Sequence, residues 1–482
     1  EHFNSPSETQ NDSFKSVSRY FDRITRPEQI LTSLPQAINV MLDPADCGPA
    51  VISMSQDVQG EAYDYPEIFF EEKIHEIRRI YPDPNQIQKA AEKLKKSKQP
   101  IIISGGGVLY SEAEEEISTF AKKHNIPVTA TVMGIGCMNR DDPYYISAIG
   151  CLGEGSSNNL ATDTDLALAV GTKLGDFTTG SWTNFENENF QLVSINTSRF
   201  DTTKHRATPV VSDAKIGLQE LSKALGDWKA PDNWYQHSIK ERNKWDEYVA
   251  KESGPTNQEL PSYAHAVGAV YRNSDPSDIV VTAAGGLVGE VVQIWKPKEL
   301  NTFETEWGFS CMSYEISGAL GIKMAKPEQD VIVFVGDGSY LLQNSDIYSS
   351  VLYDKKLIIV VCDNGGHMVI NRLQLAKGGN EYLCNLNAAR ATNVQFVDFE
   401  AHAKSMGANG ETVKSISELE AAFKRAKESD KTYVISMKTD GYEWLEGTAF
   451  WESPTLQVDN SEGKKSALKE FLEGKNKQRK GV

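Results

Sequence analysis

The stretch DVIVFVGDGSYLLQNSDIYSSVLYDKKLIIVVCDNGGHMVINRLQ, Asp330 to Gln374, decides the fold of this chain. It opens on an apolar, β-branched run, Val331 to Val335, which breaks at Gly336-Asp337-Gly338. A helix-compatible segment follows, about Leu342 to Tyr353. A second apolar run, Leu357 to Cys362, ends in Asp363-Asn364-Gly365-Gly366. Runs that are apolar at every position suit strands covered on both faces, so two of them joined by a helix read as a βαβ unit of a parallel sheet. Such sheets take their ligands beyond the carboxyl ends of the strands. Asp337 and Asn364 both stand at such ends, 27 positions apart.

Those residue types suit a hard divalent cation shared with phosphate groups, which takes oxygen ligands in octahedral geometry. Asp337 offers a carboxylate, Asn364 an amide oxygen and Gly366 a backbone carbonyl. Gly336 and Gly338 let backbone approach a phosphate closely, with Ser339 next to them. A Gly-Asp-Gly after a strand is by itself also an ordinary tight turn; the Asn ending the next strand favours the metal. Upstream, the strand Ile279 to Thr282 ends in Ala283-Ala284-Gly285-Gly286-Leu287, with a helix from about Val288. A helix N-terminus behind small residues receives phosphate through backbone N–H groups and the helix dipole. Taken alone, that turn too is an ordinary βα connection.

Gly-Asp-Gly followed at this distance by Asn resembles the thiamin-diphosphate motif of the decarboxylase and acetohydroxyacid-synthase superfamily. The resemblance implies Mg2+ held by Asp337, Asn364 and Gly366 against the diphosphate of thiamin diphosphate. Gly285, Gly286, Leu287, Gly336, Gly338, Ser339 and Met368 would surround that cofactor. Met312, 25 positions before Asp337, matches the Met that props the cofactor in its bent shape, and backbone near Ser310 would bond its pyrimidine. From the residues alone Met312 is equally a core filler. His367 is the candidate catalytic acid–base group or substrate contact, because histidine exchanges protons near neutrality; it is also an ordinary loop residue.

The expected fold class is α/β: successive doubly wound parallel-sheet domains of the thiamin-diphosphate enzyme type, the first of them incomplete. Residues 1–60 read as the C-terminal part of a pyrimidine-binding domain. Arg26-Pro27-Glu28 opens a helix to about Leu42; Gly48-Pro49, the strand Ala50 to Met54 and Gln56-Asp57-Val58 match the end of that domain in the superfamily. No strand carrying the cofactor-activating Glu is recognised ahead of residue 26, so the chain reads as starting inside a longer protein. Residues 61–82 are an acidic, aromatic linker. Residues 83–226 form a central Rossmann-like domain, with strands at 100–104, 126–131, 166–170 and 192–196. Gly105-Gly106-Gly107 lacks the GxGxxG spacing of a dinucleotide site and reads as a tight turn, and Ser111 with Glu114 as a capping box. Residues 227–258 are a charged linker, 259–440 the diphosphate-binding domain, and 441–482 a C-terminal tail whose end, 459–482, reads as a solvated helix.

With 482 residues, two or three domains are expected. Sixty-seven acidic against 50 basic residues, a net charge of −17, argue against nucleic acid and anionic membranes as partners. No apolar run approaches the length of a membrane span. Six scattered cysteines, without CxxC or metal spacing, read as reduced thiols of a cytoplasmic protein.

Several strings narrow the resemblance to the trihydroxycyclohexane-1,2-dione hydrolase family of inositol catabolism. They are Arg26 to Gln29, Gln56 to Ala62, Gly105 to Val108, Asp176 to Thr179, Ala283 to Gly286, Gly308 to Met312 and Ile370 to Gln374. Gly366-His367-Met368-Val369 and the segment after Trp444 depart from that family's pattern. The resemblance implies a hydrolase that opens a cyclic 1,2-diketone to 5-deoxy-glucuronate. The cofactor supplies the carbon nucleophile, and the active site forms between subunits of a homodimer or homotetramer. Two other functions stay open: an acetolactate-synthase-type carboligase acting on 2-keto acids, and a non-catalytic cofactor-binding subunit.

Overall fold

The computed structural model describes residues 3–389 and 393–480. Near the start, β1 (Phe3–Ser5) and β2 (Glu8–Thr9) form a small antiparallel pair on which Glu8 is exposed. β3 (Tyr20–Ile24) then lies parallel to β4 (Ala50–Met54), joined by a 3-10 turn at Pro27–Gln29 and the helix Ile30–Met41. Pro27 opens that turn as expected. β3 carries Asp22 and Arg23 rather than a Glu.

The central sheet holds β5 (Pro100–Ser104), β6 (Val128–Ala130), β7 (Tyr145–Ala148), β8 (Leu166–Val170), β9 (Gln191–Asn196) and β10 (Thr208–Val211). Its order is β10-β9-β8-β5-β6-β7, all parallel, the arrangement of a dinucleotide fold. β5 and β8 are buried at every position because helices cover both faces. The triple glycine follows β5, at the point where the strand order reverses. There the space left by Gly105 and Gly107 is filled by the chain itself: a Cβ on either would lie 2.4–2.6 Å from the backbone of Gly171. The tight-turn reading therefore holds. Ser111 does not cap the next helix; it ends the short helix Gly106–Tyr110, and its hydroxyl accepts from Ala214 N. Glu114–His124 starts after Ala113 instead.

Between the sheets, the charged stretch near 240 is a helix, Asp232–Glu252. Its Trp234, Ser238, Trp245 and Val249 recur at helical spacing and are buried, a stripe masked in the sequence by the charges around it.

The C-terminal sheet comprises β11 (Ile279–Thr282), β12 (Phe303–Thr305), β13 (Val331–Gly336), β14 (Ile358–Asp363), β15 (Asn409–Val413) and β16 (Tyr433–Lys438). It is parallel throughout, in the order β12-β11-β13-β14-β16-β15. The chain leaves β11 toward one edge and returns at β13 toward the other, so a crevice opens between the carboxyl ends of β11 and β13. The two sheets are clamped by a buried ion pair, Lys296 with Glu154, and by Arg140 N bonded to Pro297 O at 3.0 Å. The terminal helix Glu462–Lys477 is not freely solvated at its end. Arg479 donates to the carbonyls of Phe185 and Asn187. No helix among the described residues is long and apolar enough to cross a membrane.

Candidate functional site

The crevice between β11 and β13 gathers most of the residues singled out by sequence. Asp337 follows β13 directly, is only 5% exposed, and accepts a hydrogen bond from Gly366 N at 2.8 Å. Asn364 follows β14, and its Oδ1 is buried without a hydrogen-bond partner. Burial, and secondarily the Asp363 carboxylate, push the Asp337 carboxyl up to about 7. An acid short of counter-charge, an orphaned amide oxygen and a glycine carbonyl are the donors a hard cation takes, so the residues fit Mg2+. Among the described residues no three His, Cys, Asp or Glu side chains gather around any other metal position.

The third donor is set by a loop pairing. Gly366, at φ +135°, forms an isolated antiparallel bridge with Asn385. Leu386 N donates to Gly365 O at 2.9 Å, and His367 N to Cys384 O at 2.7 Å. In such a bridge the flanking residues make the inter-strand bonds, so the N–H and C=O of Gly366 face away from the strap. The N–H reaches Asp337, so the Gly366 backbone lies against the carboxylate.

Across the crevice, Gly285 adopts φ +83°, and a Cβ there would meet nothing within 4 Å. Gly286 precedes the helix Leu287–Ile294, and its missing side chain admits the Trp444 ring, 2.1 Å from where a Cβ would lie. The Leu287 side chain is buried, which leaves its backbone N–H as the group available to a phosphate. Gly336 ends β13, and Gly338 lies under His367, whose Cε1 would stand 2.6 Å from a Cβ there. His367 itself is exposed beside Gly338. Met368 is buried against Gly441, so its side chain packs the loop from beneath. Met312 is 36% exposed and is no core filler. Its loop is strained, with Ser310 at φ +52° and Ser313 at +77°, and is tied by the Glu306 carboxylate, which accepts from Phe309 N and Cys311 N at 2.8 and 2.6 Å.

Sequence reading passed over Glu315. It is 1% exposed, accepts from Ala284 N at 3.2 Å and from Ser339 Oγ at 3.0 Å, and Ser339 Oγ accepts from Ser313 N at 2.7 Å. One carboxylate thus joins the β11 turn, the Met312 loop and the β13 turn. Burial raises its pKa. An acidic residue in the first turn of the mostly apolar Tyr314–Ala325 helix was the available signal.

Comparison with known proteins agrees with this geometry. Residues 87–221 match the thiamine pyrophosphate enzyme central domain, and residues 283–437 its C-terminal TPP binding domain. The chain is 37% identical to a 3D-(3,5/4)-trihydroxycyclohexane-1,2-dione hydrolase of Shouchella clausii, over 96% of this chain and 77% of the relative. Identity to that of Bacillus subtilis is 35%, over 95% and 76%, and to that of Clostridium tetani 35%, over 90% and 73%. With doubly wound parallel sheets, a phosphate-type crevice at the strand reversal and relatives of this closeness, the chain belongs to the thiamine pyrophosphate enzyme family and, within it, to the trihydroxycyclohexane-1,2-dione hydrolases.

Proposed function

We propose that the protein opens the ring of 3D-(3,5/4)-trihydroxycyclohexane-1,2-dione by hydrolysis of a C–C bond, giving a deoxy-uronic acid in inositol catabolism, with thiamin diphosphate and Mg2+. The observation that carries the cofactor chemistry is the buried, unpartnered Asn364 Oδ1 beside Asp337 and the Gly366 carbonyl. The substrate follows from the names of the relatives. When bound, the cofactor supplies a carbon nucleophile and an electron sink. The chain's own part is to hold and orient. Asp337, Asn364 and Gly366 take the metal, and the backbone at Gly285 to Leu287, Gly338 and Ser339 takes the diphosphate. Met312 and the loop at Ser310 support the organic part. His367, exposed beside Gly338, holds or gives a proton at its imidazole nitrogens where the product carbon is protonated.

The reading extends to a homodimer or homotetramer in the cytoplasm. Leu341 and Leu342, in the short helix that opens with Asp337, are exposed apolar residues near the crevice, which a second subunit would cover. All six cysteines are free thiols, as a reducing compartment favours. The test is ring opening of the cyclic dione with thiamin diphosphate and Mg2+, beside Asp337→Ala. Turnover that disappears in Asp337→Ala supports the assignment. Cofactor binding without ring opening, or acetolactate formed from pyruvate instead, refutes the substrate.

A further inference from the structure

We infer that Glu381 is a positioning residue for the metal loop, acting through the strap that packs on Gly366 and holds its backbone beside Asp337. This rests on the reading of Asp337, Asn364 and Gly366 as the metal ligands. The strap is the segment 381–386. Its backbone pairs with Gly365 and His367 on either side of Gly366. One carboxylate oxygen gathers the side chains around the strap. Glu381 Oε1 accepts from Tyr442 OH at 2.5 Å, from Asn371 Nδ2 at 2.9 Å and from Asn385 Nδ2 at 3.4 Å. Each donor comes from a different place. Asn371 lies on the helix Met368–Ala376 that leads out of the metal loop, and its N–H bonds to His367 O at 3.1 Å. Asn385 is the strap residue facing Gly366, and its amide also reaches Tyr442 OH at 2.9 Å. Tyr442 belongs to the segment after β16. Asn371 and Asn385 are buried, at 1% and 5% exposure, so their amides are held in place.

The carboxylate therefore converges the three walls of the loop on one point, although it is itself exposed. Gly366 has no side chain to hold it. A Cβ would strike Cys384 O at 2.3 Å, so the strap is packed directly on its backbone. If the strap shifts, the carbonyl turns with it while Asp337 and Asn364 stay at their strand ends.

The experiment titrates Mn2+ into the protein with thiamin diphosphate, reading free Mn2+ by its magnetic resonance signal and cofactor binding by tryptophan fluorescence. Thermal midpoints are measured in parallel without metal or cofactor. Removal of a group that orients a ligand costs roughly 10- to 100-fold in metal affinity, so Glu381→Ala is expected to weaken Mn2+ binding about tenfold with an unchanged apo midpoint. All three donors meet on one oxygen that an amide carbonyl can replace, so Glu381→Gln should recover affinity to within about threefold of wild type. Wild-type affinity in Glu381→Ala overturns the inference. So does a Glu381→Gln variant as weak as Glu381→Ala, or a loss of affinity that comes with an equally lowered apo midpoint. Asp337→Ala separates the two levels. If it binds Mn2+ like wild type, the metal site itself is misassigned; if it loses the metal while Glu381→Ala does not, only the positioning role fails.

Discussion

Glu290→Gln should change how stability depends on pH. Glu290 lies within the helix Leu287–Ile294, just behind the Gly285-Gly286 turn, and is 3% exposed. Its Oε1 accepts from Leu445 N at 3.0 Å, and its Oε2 has no hydrogen-bond partner. Burial pushes the carboxyl up from 4.5 to about 7, against weaker opposing pulls from the Leu445 N–H and the Arg372 charge. The folded protein thus binds this proton more tightly than the unfolded chain does. The contribution is complete below pH 4.5 and is lost as pH rises through 7. The rise from 4.5 to about 7, at about 1.36 kcal/mol per pH unit, amounts to on the order of 3 kcal/mol. Glutamine keeps a carbonyl acceptor for Leu445 N and has no proton to lose. Denaturant unfolding of both proteins between about pH 5 and pH 8 isolates the effect, since every other group titrates alike in the two and cancels. The variant should gain on wild type as pH rises, by up to that amount. A wild-type-minus-variant difference that stays flat over the interval refutes the reasoning, and with it the claim that Glu290 is desolvated.

Three further outcomes are expected. Asn364→Ala removes an oxygen that has no partner together with an amide that bonds the buried Tyr263 hydroxyl, so apo stability should fall by about 1–2 kcal/mol, while Mn2+ affinity measured with thiamin diphosphate should fall at least about tenfold. Gly286→Ala places a methyl 2.1 Å from the Trp444 ring and should lower stability by about 1–3 kcal/mol in thermal unfolding, with Trp444→Ala relieving part of the loss. Lys296→Ala leaves Glu154 buried without its ammonium and should cost about 3–5 kcal/mol, whereas Lys296→Met with Glu154→Leu should recover most of it in the same denaturation assay.

The parts of the fold legible in sequence are those whose burial is written locally. β8, β13 and β14 are covered on both faces, so each is an unbroken apolar run that can be read without knowing its neighbours. β12 and β15 could not be read that way. Phe303-Glu304-Thr305 and Asn409 to Val413 are short, partly polar edge strands, held in place by the ladder of the strand beside them. The helix Asp232–Glu252 was hidden for a related reason: its buried stripe is thin and its other faces are charged.

The site divides along the same line. The places of Asp337 and Asn364 were legible because a strand end is a fixed address in a parallel sheet, and two neighbouring addresses suggest a ligand between them. Glu315 and Glu381 had no such address. Glu315 bonds Ala284, 31 positions back, and Ser339, 24 ahead; Glu381 bonds Asn371 and, 61 positions on, Tyr442. In the sequence one is a helix charge and the other a loop charge. The groups proposed to touch the cofactor are therefore spelled at strand ends, where backbone geometry alone places them. The groups that hold those ends in register are chosen by tertiary contact, and nothing in the spacing of their neighbours announces them. That division explains why Gly366 can be proposed as a ligand from its place two residues after Asn364, while the strap that packs on its backbone lies some twenty positions further along the chain and is not announced there.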